Sequence, residues 1–239
     1  MFKVIFFDAA GTIFETRAPV GESYARIARD YGVDATAAQV GAGFRRAFHN
    51  ADGLAFGPGH NGPELRAMER RWWRDIVADT FAGLGTFTDF DAYFDALFAF
   101  FGDPMNWRAD TQAALTLERL KTNRLELGVV SNFDYRLYRI LDGLGLSRYF
   151  DSITISSEAG YAKPSPKLFE AALAHHNVAS DEALHVGDVE HLDVEGAQAA
   201  GIAAVLIDRS LPQRISIAGR TARISSLEAV IDATRVMPV

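Results

Sequence analysis

The chain has 239 residues, 49% of them hydrophobic, with a formal charge of −7 and no cysteine. That length suits one large domain or a domain carrying a substantial insertion, and the apolar share is enough for a sizeable core. Disulfides, thiolate catalysis and cysteine-ligated metals are excluded, and the acidic balance, without a basic run, argues against a general nucleic-acid binder.

The first element is a short apolar run, residues 2–7, which reads as a buried strand. It meets one acid, Asp8, and breaks at Gly11 and Thr12. One lysine and so short a run do not make a signal peptide, and no stretch approaches the roughly 18 apolar residues of a membrane span. A soluble, cytoplasmic chain without membrane association is expected. From about Gly21 to Phe101 the pattern is almost wholly helical. "GESYARIARDYG" stops at Gly32; "ELRAMERRWWRDIVADTF" sets Leu65, Met68, Trp72 and Ile76 on one face. "DFDAYFDALFAFFGDP" sets Phe90, Phe94, Leu97, Phe98 and Phe101 on another, and such an aromatic stripe reads as packing. The loop that leads into the first of these two helices, "GLAFGPGHNGPE", is full of breakers.

After Asp110 short apolar strands alternate with helices. The strands are "LELGVVSN", "SITIS", "ALHVGD" and "AAVLID". The helices are "TQAALTLERLKT", "YRLYRILDGLG", "SPKLFEAALAHH", "LDVEGAQAAG" and "SLEAVIDAT". That alternation implies a parallel sheet built by right-handed crossovers. The expected fold class is α/β, a doubly wound parallel sheet. Residues 1–14 and 108–239 form its core, and residues 15–107 form a helical cap inserted after the first strand.

Ligands of open parallel sheets bind beyond the carboxyl ends of the strands. Three strands here end in polar residues: "FFDAAGT" with Asp8 and Thr12, "VVSN" with Ser131 and Asn132, and "HVGD" with Asp188, followed by Asp193. Lys163 lies in "GYAKPSP", just before a helix. Together these residues suit phosphate chemistry. Asp8 and Asp188 can hold Mg²⁺, a hard cation that prefers oxygen, and the carbonyl of Ala10 can add a further ligand. Ser131 and Lys163 can take phosphoryl oxygens, and Asp8 can attack phosphorus. Each residue also has a plainer use: Asp8 in a turn, Thr12 on the turn backbone, Ser131 as a helix cap, Asp193 at a helix start. Their occurrence in this order favours the shared chemistry.

The sequence resembles the haloacid dehalogenase-like hydrolase superfamily, in the branch with a helical cap after the first strand. The motifs that carry the resemblance are "FFDAAGT", "VVSN", "AKPSP" and "GDVEHLD", spread over nearly the whole core. The resemblance implies Asp8 as nucleophile and Lys163 as the catalytic charge neutraliser. It implies Thr12, Ser131, Asn132 and Lys163 at the phosphate, and Asp8, Ala10, Asp188 and Asp193 around Mg²⁺. The expected substrate is a small phosphorylated molecule; the sequence carries no signal for an oligomeric state.

One position departs from the pattern. Phosphatases of this kind carry an acid two residues after the nucleophile, where this chain has Ala10. A methyl group transfers no proton, and general acid-base catalysis is worth roughly 10²–10⁴ in rate. The leading expectation remains a Mg²⁺-dependent phosphatase working through an aspartyl-phosphate, with Glu15 or a cap residue as a substitute acid. Phosphonoacetaldehyde hydrolases also have alanine there but need a cap lysine. The lysines are Lys3, Lys121, Lys163 and Lys167, none in the inserted helices. A metal-free 2-haloacid dehalogenase is the alternative, opposed by the acids of "GDVEHLD", and a weak or inactive binding relative is the other.

Overall fold

The computed structural model describes residues 1–212 and 215–238. The strands are β1 (Val4–Phe7), β2 (Phe14–Thr16), β3 (Trp107–Ala109), β4 (Glu126–Ser131), β5 (Ser152–Ile155), β6 (Ala183–Gly187), β7 (Ala203–Ile207), β8 (Ile215–Ala218) and β9 (Thr221–Ile224). The helices are α1 (Val20–Arg29), α2 (Ala37–Asn50), α3 (Gly62–Thr80), α4 (Phe90–Gly102), α5 (Ala113–Thr122), α6 (Arg136–Gly143), α7 (Ser156–Ala159), α8 (Pro166–His176), α9 (Gly196–Ala199) and α10 (Val230–Val236). No helix among the described residues is long and apolar enough to cross a membrane.

The chain divides into two units. The first holds residues 1–15, 53–60 and 109–239; the second holds 16–52 and 61–108. The insertion read from the sequence ran without a break from 15 to 107. The structure instead groups residues 53–60 with the first unit. Gly160, at φ +77°, explains the association locally: a side chain there would lie 2.3 Å from the Gly57 carbonyl carbon. The Ser156 hydroxyl also donates to the Leu54 carbonyl at 2.6 Å.

The first unit is built on a sheet of order β5-β4-β1-β6-β7-β9-β8, parallel except for the antiparallel β8–β9 pair. Helices cover both faces, as the unbroken burial of β1, β6 and β7 requires. Register pairs Phe7, the last residue of β1, with both Val129 and Val186, so β4 and β6 end one or two residues past the end of β1. Residues directly beyond those ends therefore meet: Asp8 after β1, Ser131 and Asn132 at the end of β4, Asp188 after β6. The β8–β9 hairpin was not anticipated. Its four-residue strands are too short to stand out, and its turn rests on Gly219 at φ +61°. The helix expected over "LDVEGAQAAG" begins instead as a π-helical turn, Glu190–Glu195, before α9. Such wide turns recur at functional sites.

The second unit contains α1 to α4. Thr36 and Gln39 close a capping box on α2, and Asp89 caps α4 through the Ala92 amide. On α4 the buried residues are Tyr93, Phe94, Leu97, Phe98 and Gly102. Phe90 and Phe101 lie at the ends of the helix and are only half-buried. Tyr93, which the stripe left out, is the most deeply buried ring, and its hydroxyl reaches the Tyr24 carbonyl at 3.3 Å. On α3 the covered face runs through Leu65, Ile76 and Val77, with Met68 and Trp72 half-buried. Glu69 is also fully buried there and accepts from Arg66 at 3.1 and 3.2 Å.

Candidate active site

The loop after β1 turns tightly. The Ala9 carbonyl accepts from the amides of Thr12, Ile13 and Phe14, and Gly11 sits at φ +92°. A Cβ on Gly11 would lie 2.3 Å from Asp188 Oδ2. Glycine is required twice over, for the left-handed backbone and for the approach of that carboxylate. Thr12 donates its hydroxyl to Asp188 Oδ1 at 3.1 Å. Gly187 repeats the device on β6, since a Cβ there would lie 2.1 Å from Asp193 Cγ. The wide turn that follows brings Asp193 back over the strand end, where Asp193 Oδ2 accepts from the Val189 amide at 2.9 Å.

The three acids converge. One carboxylate oxygen from each of Asp8, Asp188 and Asp193 lies within 4.8 Å of the others. Lys163, buried, places its ammonium 2.6 Å from Asp8 Oδ1 and 2.6 Å from Asp193 Oδ1. Its backbone is held in turn by Asn132, whose side-chain amide donates to the Lys163 carbonyl at 3.0 Å and accepts from the Lys163 N–H at 2.7 Å. Asn132, expected at a phosphoryl oxygen, thus has both ends of its amide on the lysine loop. Thr12, expected at the same place, donates to Asp188. Ser131 is buried at the end of β4. Ala10 is partly exposed, in a bridge with Phe14.

Burial raises the Asp8 carboxyl above its ordinary value, against the pull of Lys163, with Asp193 and Asp188 adding to the rise. Burial likewise raises Asp188, helped by Asp193. Asp193 is held below its ordinary value: burial opposes its charge, but Lys163 and His185 outweigh it. Lys163 is raised, because Asp8 and Asp193 together overcome the burial that disfavours its charge. Lys163 is held in its charged form with Asp193 as counter-ion, while burial disfavours the charge on both Asp8 and Asp188.

Sequence reasoning missed His185. It is fully buried on β6, with Nε2 3.0 Å from Asp193 Oδ1. Burial lowers its pKa. The ionised carboxylate only accepts, so Nε2 carries the proton and Nδ1 is left without a partner among the described residues. The available signal was a polar residue inside an apolar strand, two positions before Gly187 and so on the same face. His185 and the bare backbone of Gly187 form the floor under Asp193.

A three-layer α/β unit whose strand ends gather three carboxylates and a buried lysine defines a hydrolase-type site at the carboxyl edge of the sheet. A model of the haloacid dehalogenase-like hydrolase family matches residues 2–201, and the chain belongs to that family. It is 36% identical over 216 residues to the mouse haloacid dehalogenase-like hydrolase domain-containing protein 3, covering 88% of this chain and 83% of the relative. The fold is similar to that of the L-2-haloacid dehalogenase from Xanthobacter autotrophicus, with a TM-score of 0.72 at 19% identity over the whole of both chains. It is equally similar to the HAD-hydrolase YfnB from Bacillus subtilis, solved with magnesium: TM-score 0.72 at 17% identity, covering 98% of this chain and 99% of that one.

Proposed function

We propose that the chain is a Mg²⁺-dependent phosphatase of small phosphorylated molecules, acting through an aspartyl-phosphate on Asp8. The fold alone does not choose between phosphatase and dehalogenase, since the dehalogenase and the magnesium-bound neighbour are equally similar. The observation that carries the choice is charge. Three carboxylates lie within 4.8 Å of one another, with one lysine among them. Fully ionised, that set is two negative charges in excess, which a divalent cation matches. The donor set fits: all ligands are oxygen, as Mg²⁺ requires, and the two glycines leave room for the carboxylates to approach. Asp8 and Asp188 would hold the cation, with the Ala10 carbonyl as a further ligand and Asp193 supporting. When bound, it offsets the negative charge gathered by the acids and the phosphoryl group.

The protein's own groups do the rest. Lys163 neutralises a phosphoryl oxygen as a point charge, and Ser131 donates a hydrogen bond to another. The Asp8 carboxylate attacks phosphorus, forming a P–O bond while the ester P–O bond breaks. Water then attacks the phosphorus of the intermediate, releasing phosphate and restoring the carboxylate. Asn132 and Thr12 fix Lys163 and Asp188. With Ala10 in place of an acid, the leaving oxygen receives its proton from elsewhere, and substrates with good leaving groups are favoured. The helical unit closing as a cap would exclude water and select the substrate.

An aryl phosphate with Mg²⁺ tests the reading. The protein should turn it over and Asp8→Asn should abolish turnover. Halide release from a 2-haloacid in the presence of chelator, with no phosphate release, would replace it by the dehalogenase reading.

A further inference from the structure

The loop that cradles Asp188 is gripped from its outer side by a residue far along the chain. Arg209, just beyond β7, sends one guanidinium nitrogen to the Gly11 carbonyl at 2.9 Å. The other donates to the Thr12 carbonyl at 3.3 Å and to Asp110 Oδ2 at 3.1 Å. Asp110 is itself fixed. Its amide donates to the Ile13 carbonyl at 2.9 Å, and its second oxygen accepts from the Gln112 amide at 2.8 Å. The arginine is about half-exposed, so a salt bridge at this place would contribute little to stability by itself. What the guanidinium does have is reach: its planar fork spans three oxygens that belong to three different residues.

The two gripped residues are the two that meet Asp188. Gly11 presses its Cα face to the carboxylate, and Thr12 hydrogen-bonds it. We infer that Arg209, braced by Asp110, is a positioning residue for the cation site. It holds the carbonyls of residues 11 and 12 so that the loop presents Asp188 to Asp8. This rests on the cation reading of the acid cluster.

Charge and position make opposite forecasts, which gives the inference a sharp test. Arg209 is a cation close to a cation site, so by charge alone its removal would tighten divalent-cation binding. By position its removal weakens binding, and supporting residues around a metal site are typically worth about 10- to 100-fold in metal affinity. The measurement is direct binding of Mn²⁺, as a stand-in for Mg²⁺, followed by its electron paramagnetic resonance signal without substrate. Arg209→Gln should bind about tenfold or more weakly, with a thermal midpoint in cation-free buffer close to that of the parent. Arg209→Lys, which keeps the charge but cannot span three acceptors, should also bind weakly. Guanidinium ion at millimolar concentration should restore part of the affinity in Arg209→Ala. Equal or tighter binding by Arg209→Gln, or full affinity in Arg209→Lys, overturns the inference. A parent protein that binds no Mn²⁺ overturns the cation reading as well, so the two failures are told apart by the parent alone.

Discussion

Replacing Lys163 by methionine removes the ammonium that contacts Asp8 and Asp193 while keeping a similar length and volume. The structure sets the cost. The ammonium makes two charge-assisted contacts at 2.6 Å, to Asp8 and Asp193, and lysine and both acids are almost wholly covered. Hydrogen bonds to charged groups contribute about 1.5–3 kcal/mol each. Removing one partner of a buried pair costs about 3–5 kcal/mol, because the other charge stays buried alone. A destabilisation of about 3–5 kcal/mol is therefore expected near neutral pH in cation-free buffer. The pH dependence follows from the acids left behind. Asp8 and Asp188 already sit above their ordinary values, and without the lysine Asp8 rises further and Asp193 loses its main counter-charge. A carboxyl whose folded pKa is raised binds its proton more tightly folded than unfolded. Folding then gains as pH falls through the folded value. The penalty of Lys163→Met should thus be largest at about pH 8 and shrink towards about pH 5. Urea unfolding of both proteins at the two pH values measures it. A penalty of equal size at both would refute the claim that uncompensated carboxylate charge is its source.

Three other outcomes are expected. Gly187→Ala puts a methyl 2.1 Å from Asp193 Cγ, so it should cost about 1–3 kcal/mol by urea unfolding and depress phosphate release. Mg²⁺ should raise the melting temperature more at about pH 8 than at about pH 5, because protons compete for Asp8 and Asp188, whose folded values are raised; calorimetry at the two pH values tests it. Ala10→Asp should speed hydrolysis of alkyl phosphates by up to about 10²-fold while changing aryl phosphates less; an unchanged ratio would mean that another group already supplies the proton.

The strands and the acids at their ends were legible in the sequence because burial and chemistry use different residue types there. An apolar run that stops at Asp8, at Ser131 or at Asp188 marks both the strand and the edge where it ends. Side-chain partnerships were not legible, because they depend on register and on turns. Asn132 was read as a phosphate contact from its place after β4. Only the register of the central strands and the path of the Lys163 loop show that its amide bonds to that loop. Arg209 gave no signal, since two of its acceptors are backbone carbonyls nearly 200 positions away, which any residue has, and the third, Asp110, is also remote in the chain.

The departure at Ala10 acquires a physical meaning beside the charges around it. The cluster already gathers three acids against one lysine, and burial raises two of those acids. A fourth carboxylate two residues beyond Asp8 would add repulsion to the burial that already raises Asp8, unless it pointed away or carried a proton. Alanine removes that conflict together with a proton donor. On the proposed phosphatase reading, the chain keeps the nucleophile and charge neutraliser for an aspartyl-phosphate and lacks the acid that assists a poor leaving group and then draws the proton from the attacking water. On this reasoning, phosphorylation of Asp8 by an activated phosphate such as acetyl phosphate or an aryl phosphate should survive intact; with no carboxylate at position 10 to take a proton from the attacking water, breakdown of the intermediate should then be the slow step. A burst of released phenol followed by a slower steady rate would show it. A linear time course whose rate rises with leaving-group acidity would instead make formation of the intermediate the slow step.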